Sequence, residues 1–161
     1  MEELIAAIVG EVLGSVHQAF AEAARQSPPA PPDELVAAVL GRTLAARENL
    51  TVDGRPAFPR LVIQVWAETL RNEELAAVLR EGYGSVRGAW ARIVESYQSV
   101  GMMDADVTPD DVARTMIASV MGFLAQQSLF GPVPVEVLRD GLRALTSMRG
   151  EGAATRGSQL G

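Results

Sequence analysis

Apolar residues recur at steps of three and four along almost all of this 161-residue chain, the spacing that gathers side chains on one face of an α-helix. From Met1 to about Gln26, Ile5, Ile8, Val9, Val12, Val16 and Phe20 share one side, with Glu3, Glu11, Gln18, Glu22 and Arg25 on the other. This predicts a first amphipathic helix. It begins without a capping residue, so the chain is expected to have been cut from something longer. Ser27-Pro28-Pro29-Ala30-Pro31-Pro32 cannot be helical and is a stiff connector, with Pro32 suited to the first turn of the next helix. That second helix is predicted from Asp33 to about Glu48 on Leu35, Val36, Val39, Leu40 and Leu44, and Asn49 to Pro56, with Asp53-Gly54, reads as a turn. Pro59 opens a third helix to about Arg71. In it Leu61, Val62, Ile63, Val65, Trp66 and Leu70 cover more than half the circumference, so it is expected to be mostly buried.

Asn72 is suited to cap the longest helix, with Glu73 and Glu74 at its positive end. The stripe of this helix is Leu75, Leu79, Tyr83, Val86, Trp90, Ile93, Tyr97 and Val100. Gly82, Gly84 and Gly88 lie in the same helix, where each costs up to about 1 kcal/mol relative to alanine, so they either allow close helix contact or mark a bend. Gly101 ends it, and Thr108 with Pro109 and Asp111 caps the next. Met116 to Ala125 carries no charge and leaves no polar face, with Ala118, Gly122 and Ala125 as a stripe of small residues. A helix of that kind needs cover on all sides, more than so short a chain is expected to supply. The last helix is one-sided, with Val135, Leu138, Leu142 and Leu145 opposite Glu136, Arg139, Asp140 and Arg143. Two helices from each of two subunits would form a four-helix bundle about a twofold axis, with Val120, Phe123, Leu138, Leu142 and Leu145 as the expected interface.

Composition narrows the class. An apolar content of 48% with aromatics at only 5% means that Ala, Leu and Val fill the core, and no run of alternating β-branched residues predicts a strand, so the fold class is all-α. The expected organisation is one domain over 1–149 followed by a small, polar, disordered tail over 150–161. All fourteen cations are arginines, outnumbered by twenty acids for a net charge of −6, and they are scattered. Nucleic-acid binding by these residues is therefore disfavoured, because phosphate neutralisation needs a concentrated basic surface. The absence of cysteine excludes disulfide and thiolate chemistry and fits a cytoplasmic location. Met1-Glu2-Glu3-Leu4 is acidic where a signal peptide would be basic, and polar residues interrupt the uncharged stretch from Thr115 to Val135, so no membrane role is expected.

Candidate chemistry is sparse. His17, the single histidine, flanks the first apolar stripe and has no hydroxyl to activate, and without cysteine it makes no ordinary metal site. Asp104, Asp106, Asp110 and Asp111 lack the glycine and terminal glutamate of a calcium loop, and helix capping explains them better. Gly82-Tyr83-Gly84 has Arg87 where a dinucleotide fingerprint needs its third glycine. No enzyme, metal or cofactor is expected.

The order of segments nonetheless resembles a known family. Glu2-Glu3-Leu4-Ile5 is similar to "K-E-E-L", and Val65-Trp66-Ala67-Glu68-Thr69-Leu70-Arg71-Asn72-Glu73-Glu74-Leu75 to "lwaealrdpel". Gly101-Met102-Met103-Asp104-Ala105-Asp106-Val107-Thr108-Pro109, followed by Met121-Gly122-Phe123 and Leu129-Phe130-Gly131, is similar to "G.l..dvdp" and then "l.dGl". Together these resemble the C-terminal, effector-binding domain of TetR-family transcriptional regulators, over Glu2 to about Met148. The family's three-helix head with its helix-turn-helix has no counterpart, so DNA would be reached only through a head missing from this chain. The resemblance implies a bundle of about six helices, a ligand cavity among the first five and a homodimer through the last two. For a small apolar or aromatic effector the candidates are Trp66, Tyr83, Trp90, Tyr97 and Phe123 for contact area and Gln64 and Gln127 for hydrogen bonds; their alternative role is ordinary core packing. The competing function is a helical dimerisation or adaptor module without a ligand.

Overall fold

The computed structural model describes residues 2–147; the expected domain end at 149 and the tail 150–161 lie outside the described residues. Six helices follow one another: α1 (Glu2–Ala23), α2 (Pro32–Ala45), α3 (Phe58–Thr69), α4 (Glu73–Ser99), α5 (Pro109–Phe130) and α6 (Val135–Thr146). Between α2 and α3 stand two short antiparallel strands, β1 (Thr51–Val52) and β2 (Arg55–Pro56), with Val52 opposite Arg55. The sequence predicts only a turn there. Asp53 and Gly54 both adopt positive φ, the twist of a two-residue hairpin turn, and so draw the flanking residues into pairing.

Helix boundaries follow local chemistry. Pro32 occupies the first turn of α2, where its missing N–H would have no partner in any case. The Asn72 side chain accepts from Leu75 N at 3.0 Å, and Thr108 Oγ1 from Asp111 N at 3.2 Å, so two orphan amides at the starts of α4 and α5 are satisfied. Gly101, at φ 75°, turns the chain out of α4. Gln127 fixes the link between α5 and α6: its amide nitrogen donates to Val133 O at 2.6 Å and its carbonyl accepts from Val133 N at 2.8 Å.

α4 is the axis of the molecule. It packs along α1 and α5, while α6 packs on α2. Over its C-terminal half Val86, Ala89, Trp90, Ile93, Val94 and Tyr97 are buried, and Trp90 meets Phe20 of α1 with ring centroids 4.8 Å apart and planes tilted at 44°. Val100, at the end of the predicted stripe, is exposed because α4 has ended there. Tyr97 donates its hydroxyl to Ala30 O, in the proline-rich connector, where prolines leave few amides to serve that carbonyl. Asp33 is 5% exposed in the first turn of α2, and its Oδ2 stands 3.4 Å from Arg143 Nε, which ties α6 to α2 through a buried carboxylate.

Two expectations from the sequence need correction. α3 is not mostly buried: Pro59 alone is fully so, Leu61, Ala67 and the capping Leu70 are exposed, and the remaining apolar residues are half-buried. Its inner face borders a hollow rather than packed side chains. In addition, Leu142 is only 7% exposed and joins the core with Leu138 packed against it, whereas Leu145 is 71% exposed. The predicted apolar stripe of α6 is thus mostly spent within its own chain, against α2. Phe123 is likewise buried within one chain.

The glycines of α4 differ in what surrounds them. A Cβ at Gly82 would collide with Leu13 Cδ1 and lie 3.0 Å from Leu13 Cβ, so α1 reaches α4 closely only because a glycine stands there. Gly84 and Gly88 face open space. Gly84→Ala and Gly88→Ala are each expected to raise unfolding free energy by up to about 1 kcal/mol through helix propensity alone. Gly82→Ala is expected to lower it by about 1 kcal/mol or more through overpacking. Urea denaturation of the three variants checks the contrast, and a stabilised Gly82→Ala would show that the α1–α4 contact yields freely.

Candidate functional site

From Leu79 to Trp90, α4 faces a cavity of about 400 Å³, while Ile93, Val94 and Tyr97 beyond it are solidly packed. Five helices wall it: Val9, Val12, Leu13 and Val16 from α1, Val36, Val39 and Leu40 from α2, Val62, Val65 and Trp66 from α3, Leu79, Tyr83 and Trp90 from α4, and Ile117, Val120, Met121 and Leu124 from α5. Arg47, Leu50, Phe58 and Leu61 stand toward the hairpin end. The volume lies within the range of small-molecule sites, and the lining is almost wholly apolar, as in such sites, with a few polar groups placed among hydrocarbon. The Val, Leu and Ile side chains that five helices turn toward this space do not fill it.

The polar groups in the lining are few and mostly engaged. Trp66 Nε1 donates to Tyr83 Oη at 3.0 Å, which leaves the Tyr83 hydroxyl proton as a donor. Burial pushes the Tyr83 phenol above its usual range, against the opposing pull of the Trp66 hydrogen bond, so it remains neutral and able to donate. Thr43 Oγ1 donates to Val39 O at 2.9 Å. Arg47 Nη1 donates to Thr43 O at 3.0 Å, and its guanidinium lies 5.1 Å from the Phe58 ring centroid. A shallower cleft shares Leu79, Tyr83, Ile117 and Met121 with the cavity and carries Arg80, Arg87 and Arg114. Asp110 bridges two of these, 3.0 Å from Arg87 and 2.9 Å from Arg114, and the Arg114 hydrogen bond, reinforced by the Arg87 charge, holds its carboxyl below the usual carboxylate range.

Of the seven residues the sequence singles out for a ligand, Trp66, Tyr83 and Trp90 border the cavity. Gln64 is on the exposed side of α3, and Gln127 is committed to Val133. Tyr97 lies deeper in the packed core, bonded to Ala30. Phe123 sits roughly a third of a turn round α5 from the side chains that face the hollow. His17 is half-buried and does not border it. Sequence reasoning missed the aliphatic wall from α1 and α2 and the cation at its rim. The signal was present in the unusually wide apolar face of α3, too broad for a packing seam.

Residues 42–148, about two thirds of the chain, match the family described as the BetI-type transcriptional repressor, C-terminal. The chain belongs to the TetR family of transcriptional regulators. In this family member the match begins inside α2, so α1 and much of α2, which supply one side of the cavity, lie before the matched segment. No curated protein and no solved structure matches the chain. The all-α bundle of six helices that the resemblance implies is the observed fold, with the small hairpin added.

Tyr83 and Tyr97 are the two tyrosines of the chain, and burial raises both phenols, with the negative charge of Asp33 adding to the rise at Tyr97. Unfolded tyrosine ionises at about pH 10, so above that pH the unfolded state binds fewer protons than the folded one and stability falls as pH rises. Alkaline titration is expected to show tyrosinate absorbance appearing together with loss of helix by circular dichroism. Ionisation of both phenols near pH 10 with the helices intact would contradict their burial.

Proposed function

We propose that this chain is the effector-sensing and dimerisation part of a TetR-family repressor, in which a small apolar or aromatic molecule occupies the cavity beside α4. The observation that carries the reading is the hollow itself: a regulator-family domain that encloses about 400 Å³ among five helices, with Trp66, Tyr83 and Trp90 on its walls. DNA would be read by a helix-turn-helix head outside this sequence, and the work would take place in the cytoplasm. For a ligand to alter DNA binding it must favour one arrangement of α4 and α5 over another, since only differential affinity shifts a conformational equilibrium. Both helices border the cavity, and α5 leads directly into the tight link to α6.

Dimerisation is assigned to the outward faces of α5 and α6. Ala118, Gly122, Gln126 and Leu129 are exposed on α5, and Val137, Gly141, Ala144 and Leu145 on α6. Each set shares one face of its helix, and its small members allow a second backbone to approach closely. These stripes replace Phe123 and Leu142 in the proposed interface, because those two are already enclosed by their own chain. Val120 borders the cavity and Leu138 packs on the core, so Leu145 is the one member of the predicted interface set that stands in the open.

Two measurements test the proposal. In a thermal-shift screen of apolar and aromatic compounds, a binder present at a hundredfold excess over its Kd is expected to stabilise the protein by about 2.7 kcal/mol. A broad screen without a single shift would favour a ligand-free adaptor module instead. Leu145→Glu is expected to yield a helical monomer in light scattering, while Leu142→Glu unfolds the protein by placing a charge in the core. A dimer that survives Leu145→Glu would move the interface elsewhere.

A further inference from the structure

Among the described residues, the cavity lining holds one formal charge, that of Arg47. The other lining side chains are aliphatic, aromatic or hydroxylic, and none is a carboxylate. Arg47 is half-buried in the turn after α2, held from one side by its bond to Thr43 O and from another by the face of Phe58. Among the described residues no carboxylate lies within ion-pair distance of it, in contrast to Arg80, Arg87, Arg114, Arg139 and Arg143, each of which has an acid. A guanidinium carries five N–H donors in a planar fork, and one is used here by the backbone. Most of the fork is therefore free at the edge of a hydrocarbon-lined space.

We propose that the occupant of this cavity is an amphiphilic monoanion, an apolar chain or ring ending in a carboxylate, with the anionic end paired to Arg47 and the apolar part lying along the aliphatic walls toward Trp90. This rests on the reading of the cavity as an effector site and specifies its ligand class. Charge complementarity excludes the opposite sign: a cationic amphiphile would bring a positive end to a site that already holds an unpaired positive charge and has no acid to receive it. A carboxylate can accept two parallel N–H bonds from the same guanidinium, which sets its orientation as well as its affinity. The Trp66–Tyr83 pair lies elsewhere on the wall with the indole N–H already bonded, so the apolar part of the ligand passes that donor without leaving it unserved.

The probes are decanoate, 1-decanol and decyltrimethylammonium, which share a tail and differ in the charge of the end. Trp66 and Trp90, the chain's two tryptophans, both border the cavity, so intrinsic fluorescence reports its filling. Decanoate is expected to bind at least tenfold more tightly than the ammonium compound, and affinity to rise about fourfold for each methylene added from hexanoate to decanoate. Arg47→Gln is expected to weaken decanoate about tenfold or more while leaving 1-decanol within twofold, the alcohol serving as proof that the cavity is intact. Arg47→Lys, which keeps the charge, should retain part of the decanoate affinity. Ammonium binding as tight as that of decanoate, or decanoate affinity unchanged in Arg47→Gln, would overturn the anion assignment while leaving the effector-site reading in place. Should Arg47→Gln fail to fold, the comparison of the three probes on the unaltered protein decides alone. Failure of all three to change the fluorescence would remove both.

Discussion

The structure depends on how α4 is covered. Its stripe is long enough to need partners over seven turns, and its buried residues gather between Val86 and Tyr97, with Leu75 and Ala76 buried near its start. At Ile93, Val94 and Tyr97 the side chains are fully enclosed and none borders the cavity. From Leu79 to Trp90, with α3 on one side, the same kind of apolar side chain borders a void as well as a contact. Trp90 stands at the transition, 1% exposed, in the core cluster and on the cavity wall at once. Core and cavity meet along one helix, the element that organises the rest.

Polar groups at the margins hold this arrangement in register. The proline connector between α1 and α2 has few amides of its own, and the hydroxyl of Tyr97 reaches across to Ala30. Asp33 and Arg143 join α2 to α6, and Gln127 clamps the start of the α5–α6 link. Such contacts contribute modestly to net stability, since each exchanges water for protein partners. Their larger effect is geometric, because losing one partner would strand a buried or half-buried polar group. They leave small and apolar residues exposed on the outward faces of α5 and α6.

Particular residues show how far the chain could be read before folding. Pro32, Asn72, Gly101 and Thr108 mark boundaries that hold, because a cap or a positive φ depends on a few neighbouring atoms. Trp66, Tyr83 and Trp90, ring residues on inward faces for which the resemblance implies a cavity and periodicity allows ordinary core, border the cavity. Phe123 and Tyr97 lie on similar stripes and are core, while Arg47, outside any helix, lines the site. Periodicity reports that a face turns inward, but it is silent on whether that face meets another side chain or empty space.

Helix periodicity, capping chemistry and turn residues act over a handful of positions, so the sequence by itself determined six helices, their order and which side of most of them is apolar. The tertiary structure alone decided which apolar side meets which: that α6 spends Leu142 on α2, that Gly82 admits Leu13, and that α3 faces a hollow. Those outcomes depend on side-chain volumes brought together from segments far apart in the chain. Close packing is a property of the assembled set, and no single segment encodes the space left when the set fails to close.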